Sequence, residues 1–289
     1  MRRFVFALQT RTWRQHIGLV FGASWVFLVA LVLVRDADVR HQLKFVLLGF
    51  IVFAFAAKEL VDAPVNWGRA RAVYRERRNF WLAIWVAIPE EIRGWGRTFL
   101  ALQIAFLRKA FGQASKIEER PAGFTYLQRS GYTSLMPILA ISSLVDIPLA
   151  HLAIGYSNLP ESTQLGVHVF IVLVHVLAFS TLIGDRFLIG PGQHEITSTD
   201  LLISLGARAN GTIPLDAIIS ATKLTGPLKP KSVSAKDVVI SPCCNPNVAL
   251  ALREGGCELN VLGSNLRDVR TIYLYVDRPE EFISRVRGS

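Results

Sequence analysis

The chain has 289 residues, 51% of them hydrophobic, and 32 Lys and Arg against 22 Asp and Glu give it a formal net charge of +10. That composition excludes an ordinary soluble protein of this size, because the apolar residues gather into long runs instead of spreading along the chain. Its three cysteines, Cys243, Cys244 and Cys257, match neither a metal-site spacing nor an even disulfide framework, which excludes a cysteine-stapled secreted domain and leaves free thiols in a reducing compartment.

The first run, "IGLVFGASWVFLVALVLV" (17–34), is close to the length needed to cross a hydrocarbon core of roughly 30 Å. Arg2, Arg3, Arg11 and Arg14 precede it, but it lacks a short apolar region followed by a small-residue cleavage site, so it reads as a retained span. Residues 43–61, with Lys44 and Lys58 at their ends, give a second span. Arginines crowd the N-terminal tail and the stretch "WGRARAVYRERRNF" that follows, whereas "SNLPESTQ" further on has no Lys or Arg. By the positive-inside rule the N-terminus, the 58–129 connection and everything after Gly184 are cytoplasmic, and the loops near Asp36 and Glu161 face outward. Topology accounts for these arginines, so no nucleic-acid partner is expected.

The connection holds "FWLAIWVAIPEEIRGWGRTFLALQIAFLRKAFG", interrupted too often by charge to span a bilayer. A helix is predicted over about 89–111, with Pro89 at its start and Glu90 and Glu91 in the first turn, where the helix dipole favours them. Ile92, Trp95, Phe99, Leu102 and Phe106 fall on one face, with Glu90, Arg97 and Arg108 opposite. Such a helix either lies in the headgroup plane, with Trp95 and Phe99 inward and Arg97 and Arg108 toward lipid phosphates, or packs on the rest of the protein. Residues 132–156 and 165–184 complete a count of four spans.

After Gly190 short β-prone segments begin: "HEIT" and "LLISLG" around a Ser198–Thr199–Asp200 turn, then "GTIPLDAIISATKL", "DVVISP", "NVALALRE", "CELNVLG" and "VRTIYLYV". The chain closes with "DRPEEFISRV", where Asp277 can cap a last helix that buries Phe282, Ile283 and Val286. The expectation is a membrane domain over 1–187, of four transmembrane helices and one amphipathic interfacial helix, followed by a small α+β domain over 188–289, of about seven strands and a C-terminal helix.

"HEITSTDLLISLGARANGTIPLDAIISA" and "IYLYVDRPEEFISRV" resemble the beginning and end of the bacterial pleckstrin-homology-like domains often fused to membrane helices. "YLQRSGY", "LVDIPLAHL" and "GDRFL" are similar to a family of uncharacterised bacterial inner-membrane proteins. The resemblance implies a bacterial inner (plasma) membrane location and binding of lipid headgroups or of peptides. The first hairpin turn offers only Arg208 as a cation, so protein contacts, including self-association, are the expected use of the domain.

Four ionisable groups stand inside the last two spans: Asp146, His151, His168 and His175. In an antiparallel hairpin, positions equidistant from the turn lie at equal depth, which pairs Asp146 with His175 and His151 with His168. Such groups are expensive in hydrocarbon, so they serve either as interhelical ties or as a proton relay or metal site. Asp146 and His151 lie about 140° apart on an ideal helix, so gathering all four needs a bend at Pro148. No motif calls for a cofactor, and a divalent metal such as zinc or iron enters only with the metal reading. The leading expectation is a membrane-anchored interaction or assembly module with both termini cytoplasmic, its partners the bilayer and either another protein or a second copy. The alternative is a metal- or proton-dependent membrane enzyme or transporter.

Overall fold

A computed structural model describes residues 13–34, 36–113, 123–155, 161–228, 233–234 and 236–288. Arg2, Arg3, Arg11 and the loop 156–160 lie outside the described residues. The chain divides into two compact units between Arg93 and Gly94.

The first unit is built on α1 (Trp13–Leu33), α2 (Ala37–Arg77) and α3 (Phe80–Ala87). Asp36 starts α2 by accepting from the backbone N–H of Asp38 and Val39. The helix then runs on to Arg77, well past the expected end at 61. The change at Asp62 from apolar to charged sequence alters what the helix faces, whereas Arg, Glu and Ala sustain helix as well as Leu does. Arg78, left-handed at φ 51°, ends α2, and the Asn79 side chain caps α3 by accepting from Leu82 N–H at 3.0 Å. Ile88 is extended, as a residue before proline must be, so "FWLAIWVA" forms a helix of its own.

In the second unit, α4 (Glu90–Ala110) matches the helix expected over 89–111, although its first turn belongs to the first unit. Helices α5 (Tyr132–Gly155) and α6 (Glu161–Ile189) pack together as a hairpin. By length and composition two described segments can cross a membrane, Tyr132–Leu152 and Gln164–Ile189. The count of four therefore falls to two on that test. The outward faces of the two helices are apolar, with Ile141, Leu144, Leu149, Val169, Phe170 and Val176 all exposed.

The buried side of α4 is a row of mostly small residues, Gly94, Thr98, Leu102 and Ala105. Of the face predicted to meet lipid, Leu102 packs on α6 and Phe99 is exposed. Close approach explains the difference. A Cβ on Gly184 would stand 2.0 Å from the Leu102 carbonyl oxygen, and one on Gly94 2.5 Å from that of Leu262. Gln103 donates to Thr181 Oγ1 at 2.9 Å and accepts from Ser180 Oγ at 2.6 Å, tying the same two helices. Gly184→Ala is therefore expected to destabilise by about 1–3 kcal/mol through overpacking. Thermal unfolding of the detergent-purified protein measures it, with Gly166→Ala, whose surroundings are open, as the control that should not destabilise.

Among the described residues there are ten strands, one between α4 and α5 and nine between α6 and the last helix. The order β1–β2–β3–β4–β8–β9 forms one sheet from Gly123–Thr125, Gln193–Ile196, Asp200–Leu205, Ala209–Pro214, Glu258–Val261 and Ser264–Leu266. The order β5–β7–β10–β6 forms the other from Ile218–Lys223, Val248–Leu252, Thr271–Leu274 and Asp237–Ile240, with β6 and β10 parallel. The sequence reading of about seven strands missed β1, which comes before α5 and pairs with β2, and β9. A 3₁₀ turn at Leu215–Ala217 also splits "GTIPLDAIISATKL" into β4 and β5. Alternation puts Leu201, Leu250 and Ile272 inside one core with Tyr126, Tyr132 and Ile189 from the base of the helical hairpin.

The last helix, α7 (Pro279–Gly288), buries Phe282, Ile283 and Val286 as expected, with Phe282 edge-on to Phe124 at 5.2 Å. Asp277 does something other than the predicted cap. Its carboxylate accepts from the backbone N–H of Gln128 and Arg129, at 3.0 and 2.9 Å, and so clamps the segment that leads into α5. Two chain amides that would otherwise lose hydrogen bonds on burial compete successfully for that carboxylate.

Candidate functional site

Of the four ionisable groups in the hairpin, the structure joins two. The rings of His151 and His168 stack with centroids 4.3 Å apart and 27° between planes, and their Nδ1 atoms meet in a hydrogen bond. One imidazole must donate and the other accept. His175 instead donates Nδ1–H to the Ile171 carbonyl of its own helix, at 2.8 Å. Asp146 is exposed, and no hydrogen bond or ion pair joins it to any described residue. Proline at 148 leaves α5 a single helix that still presents Asp146 and His151 in different directions. Among the described residues no group of three His, Cys, Asp or Glu side chains gathers as a metal site. On α4, Arg97, Phe99 and Arg108 are exposed and Trp95 is half-buried.

A denser polar cluster lies at the base of the hairpin. Tyr132, the first residue of α5, donates its hydroxyl to Asp185 Oδ2 at 2.8 Å. Arg208, in the turn between β3 and β4, brings Nη2 to 3.1 Å from the same oxygen, at ion-pair distance but off the hydrogen-bonding direction. Its guanidinium lies 5.6 Å from the Tyr132 ring centroid and its Nη1 donates to Cys243 Sγ at 3.8 Å. Arg208, the cation of the first hairpin turn, is thus held against the helical hairpin. Gly206, at φ +58°, lets this turn close on the end of α6, where a Cβ would stand 3.1 Å from Ile189 Cγ1.

Next to this cluster Tyr126 is fully buried, and burial holds its phenol well above the usual value. The buried His194 ring lies 4.7 Å from it, accepts from Ser204 N–H through Nδ1 at 3.3 Å, and has its pKa lowered by burial to about 4.

No protein family, curated protein or solved structure matches the chain. The residues alone carry the functional reading. "YLQRSGY" and "GDRFL", singled out as separate motifs, meet in space through Tyr132 and Asp185. Sequence reasoning missed a second constellation in the first unit. Lys58 there is buried, 3.0 Å from Asp62, with Trp13 beneath its ammonium at 5.8 Å and His16 bonded to the Ala54 carbonyl. The spacing of Lys58 and Asp62, one turn apart at the end of an apolar run, was the signal that could have found it.

Proposed function

We propose that the chain is a multi-pass protein of the bacterial inner membrane that displays a cytoplasmic pleckstrin-homology-like β domain as an interaction or assembly module. The observation that carries this reading is the bonding of the β domain to the helical hairpin through Tyr132, Asp185 and Arg208, backed by the Asp277 clamp. A domain fixed in this way presents one surface in one orientation relative to the bilayer. The outward apolar faces of α5 and α6 support two spans, and the exposed Phe45, Leu48, Val52 and Phe53 on α2 and Leu19 and Phe21 on α1 support two more. The charge asymmetry of the loops supports cytoplasmic termini.

The partner-facing surface in this reading is the outer side of the four-stranded sheet, where Val239, Tyr273, Ala249 and Thr222 stand in one row across β6, β10, β7 and β5. Photocrosslinking from Val239 and Thr222 in the full chain, in cells, tests it. A discrete adduct, with a second copy or with one other protein, is expected. Crosslinks no different from those at exposed Glu258, on the opposite sheet, would remove the reading.

The second reading, a metal- or proton-dependent enzyme or transporter, draws on the His151–His168 contact. Two imidazoles provide half of a usual zinc ligand set. Stoichiometric metal in the purified protein that disappears in His151→Ala/His168→Ala would favour it over the module.

A further inference from the structure

Asn66, Trp67, Arg71 and Arg75 of α2 and Phe80 and Ile84 of α3 line a groove of about 870 Å³. That volume is within the range that accommodates a small amphiphile. Its walls are mostly apolar and aromatic. Asn66 is only 5% exposed, and its Nδ2 has no hydrogen-bond partner among the described residues. A buried amide donor left unpaired is unfavourable, and an oxygen entering the groove would offset that cost.

Two further observations define the occupant. Arg71 and Arg75, one helical turn apart and both exposed, put two guanidinium groups on the same stretch of rim. Planar guanidinium forks suit phosphate oxygens. Trp67, Tyr74, Phe80, Trp81 and Trp85 are all substantially exposed on the same pair of helices, as aromatic residues are at the level of lipid headgroups. Glu59 also lines the groove, but it precedes Arg71 by about 18 Å of helix and cannot meet the same headgroup.

We propose that this groove binds one anionic phospholipid, its phosphate on Arg71 and Arg75, an ester oxygen on Asn66 Nδ2, and the upper part of an acyl chain against Trp67, Phe80 and Ile84. The inference rests on the membrane placement proposed above.

The full chain is reconstituted into phosphatidylcholine vesicles that contain phosphatidylglycerol or phosphatidylcholine with brominated acyl chains. Tryptophan quenching is read, and the difference from Trp67→Phe isolates Trp67. An arginine near an anionic surface is worth about fivefold in partitioning, so at least about fivefold less brominated phosphatidylglycerol than brominated phosphatidylcholine should half-quench Trp67. Arg71→Gln/Arg75→Gln should abolish the preference, and Asn66→Leu should weaken quenching by both lipids. Arg69→Gln/Arg77→Gln, with the same charge loss outside the groove, should retain the preference. Equal quenching by the two lipids, or an equal loss in the control pair, would overturn the inference. So would a preference erased by millimolar inorganic phosphate, which would make the free anion the ligand. Failure to insert into vesicles at all would remove the membrane placement as well, whereas insertion without preference removes the lipid site alone.

Discussion

Arg208→Ala is expected to destabilise the protein by about 3 kcal/mol, the low end of what breaking a buried ion pair costs, because one partner is partly exposed. The Arg208 side chain is 24% exposed and that of Asp185 10%. Removing the guanidinium leaves a buried carboxylate with the Tyr132 hydroxyl as its hydrogen-bond donor. Asp185→Leu/Arg208→Leu removes both charges and should recover most of the loss, since the penalty comes from the abandoned charge rather than from the lost attraction. Tyr132→Phe should cost about 1.5–3 kcal/mol, the value of one hydrogen bond to a charged group. Thermal unfolding in detergent ranks the four proteins. Equal midpoints for Arg208→Ala and the double variant would show that Asp185 is solvated well enough to stand alone.

Stability should also fall as pH drops from about 6.5 toward about 4, and His194 should account for a separable part of the fall. Burial lowers its folded pKa to about 4, whereas an exposed imidazole in the unfolded chain titrates near 6.5. Above that value neither state holds the extra proton. Between the two values the unfolded chain binds a proton that the folded one refuses, so each unit of pH removes roughly 1 kcal/mol, to a total of ~3 kcal/mol. The Nδ1 lone pair is already taken by Ser204 N–H, so protonation there also breaks a hydrogen bond. In His194→Leu the difference between stabilities at pH 7 and pH 4 should shrink by that amount. An unchanged difference would mean that the imidazole is protonated within the fold.

The sequence conveyed local structure well and long-range pairing poorly. Turn residues and alternation marked β2, β3, β7 and β10, and Pro89 with two following glutamates marked the start of α4. β1 is three residues long, too short for a period to register, and only its partnership with β2 makes it a strand. The parallel pairing of β6 with β10 is likewise set by tertiary packing and leaves no local sign. In the hairpin, equal depth brought His151 to His168 but could not bring Asp146 to His175. Depth fixes height along a helix, whereas contact also needs the right rotation, and residues about 140° apart cannot both face the same neighbour. Tyr132, Asp185 and Arg208 were each visible as polar residues beside apolar runs, yet their meeting depends on three elements folding together.

The chain passes through β1 before it enters α5 and through β2 after it leaves α6, and the two strands are hydrogen-bonded neighbours, with Phe124 opposite His194. The helical hairpin is therefore an insertion within a single sheet. Its two ends are stitched into one ladder, so the chain enters and leaves the hairpin from paired strands. A domain expressed from residue 188 onward would start with β2 as a bare edge, an invitation to aggregate. It would also leave the buried Asp277 carboxylate without the amides of Gln128 and Arg129. A soluble form of the domain needs residues 123–132 joined by a short linker to 185–288, which keeps Tyr132, Asp185 and Ile189 with the core, and the rest of the hairpin excised from between them.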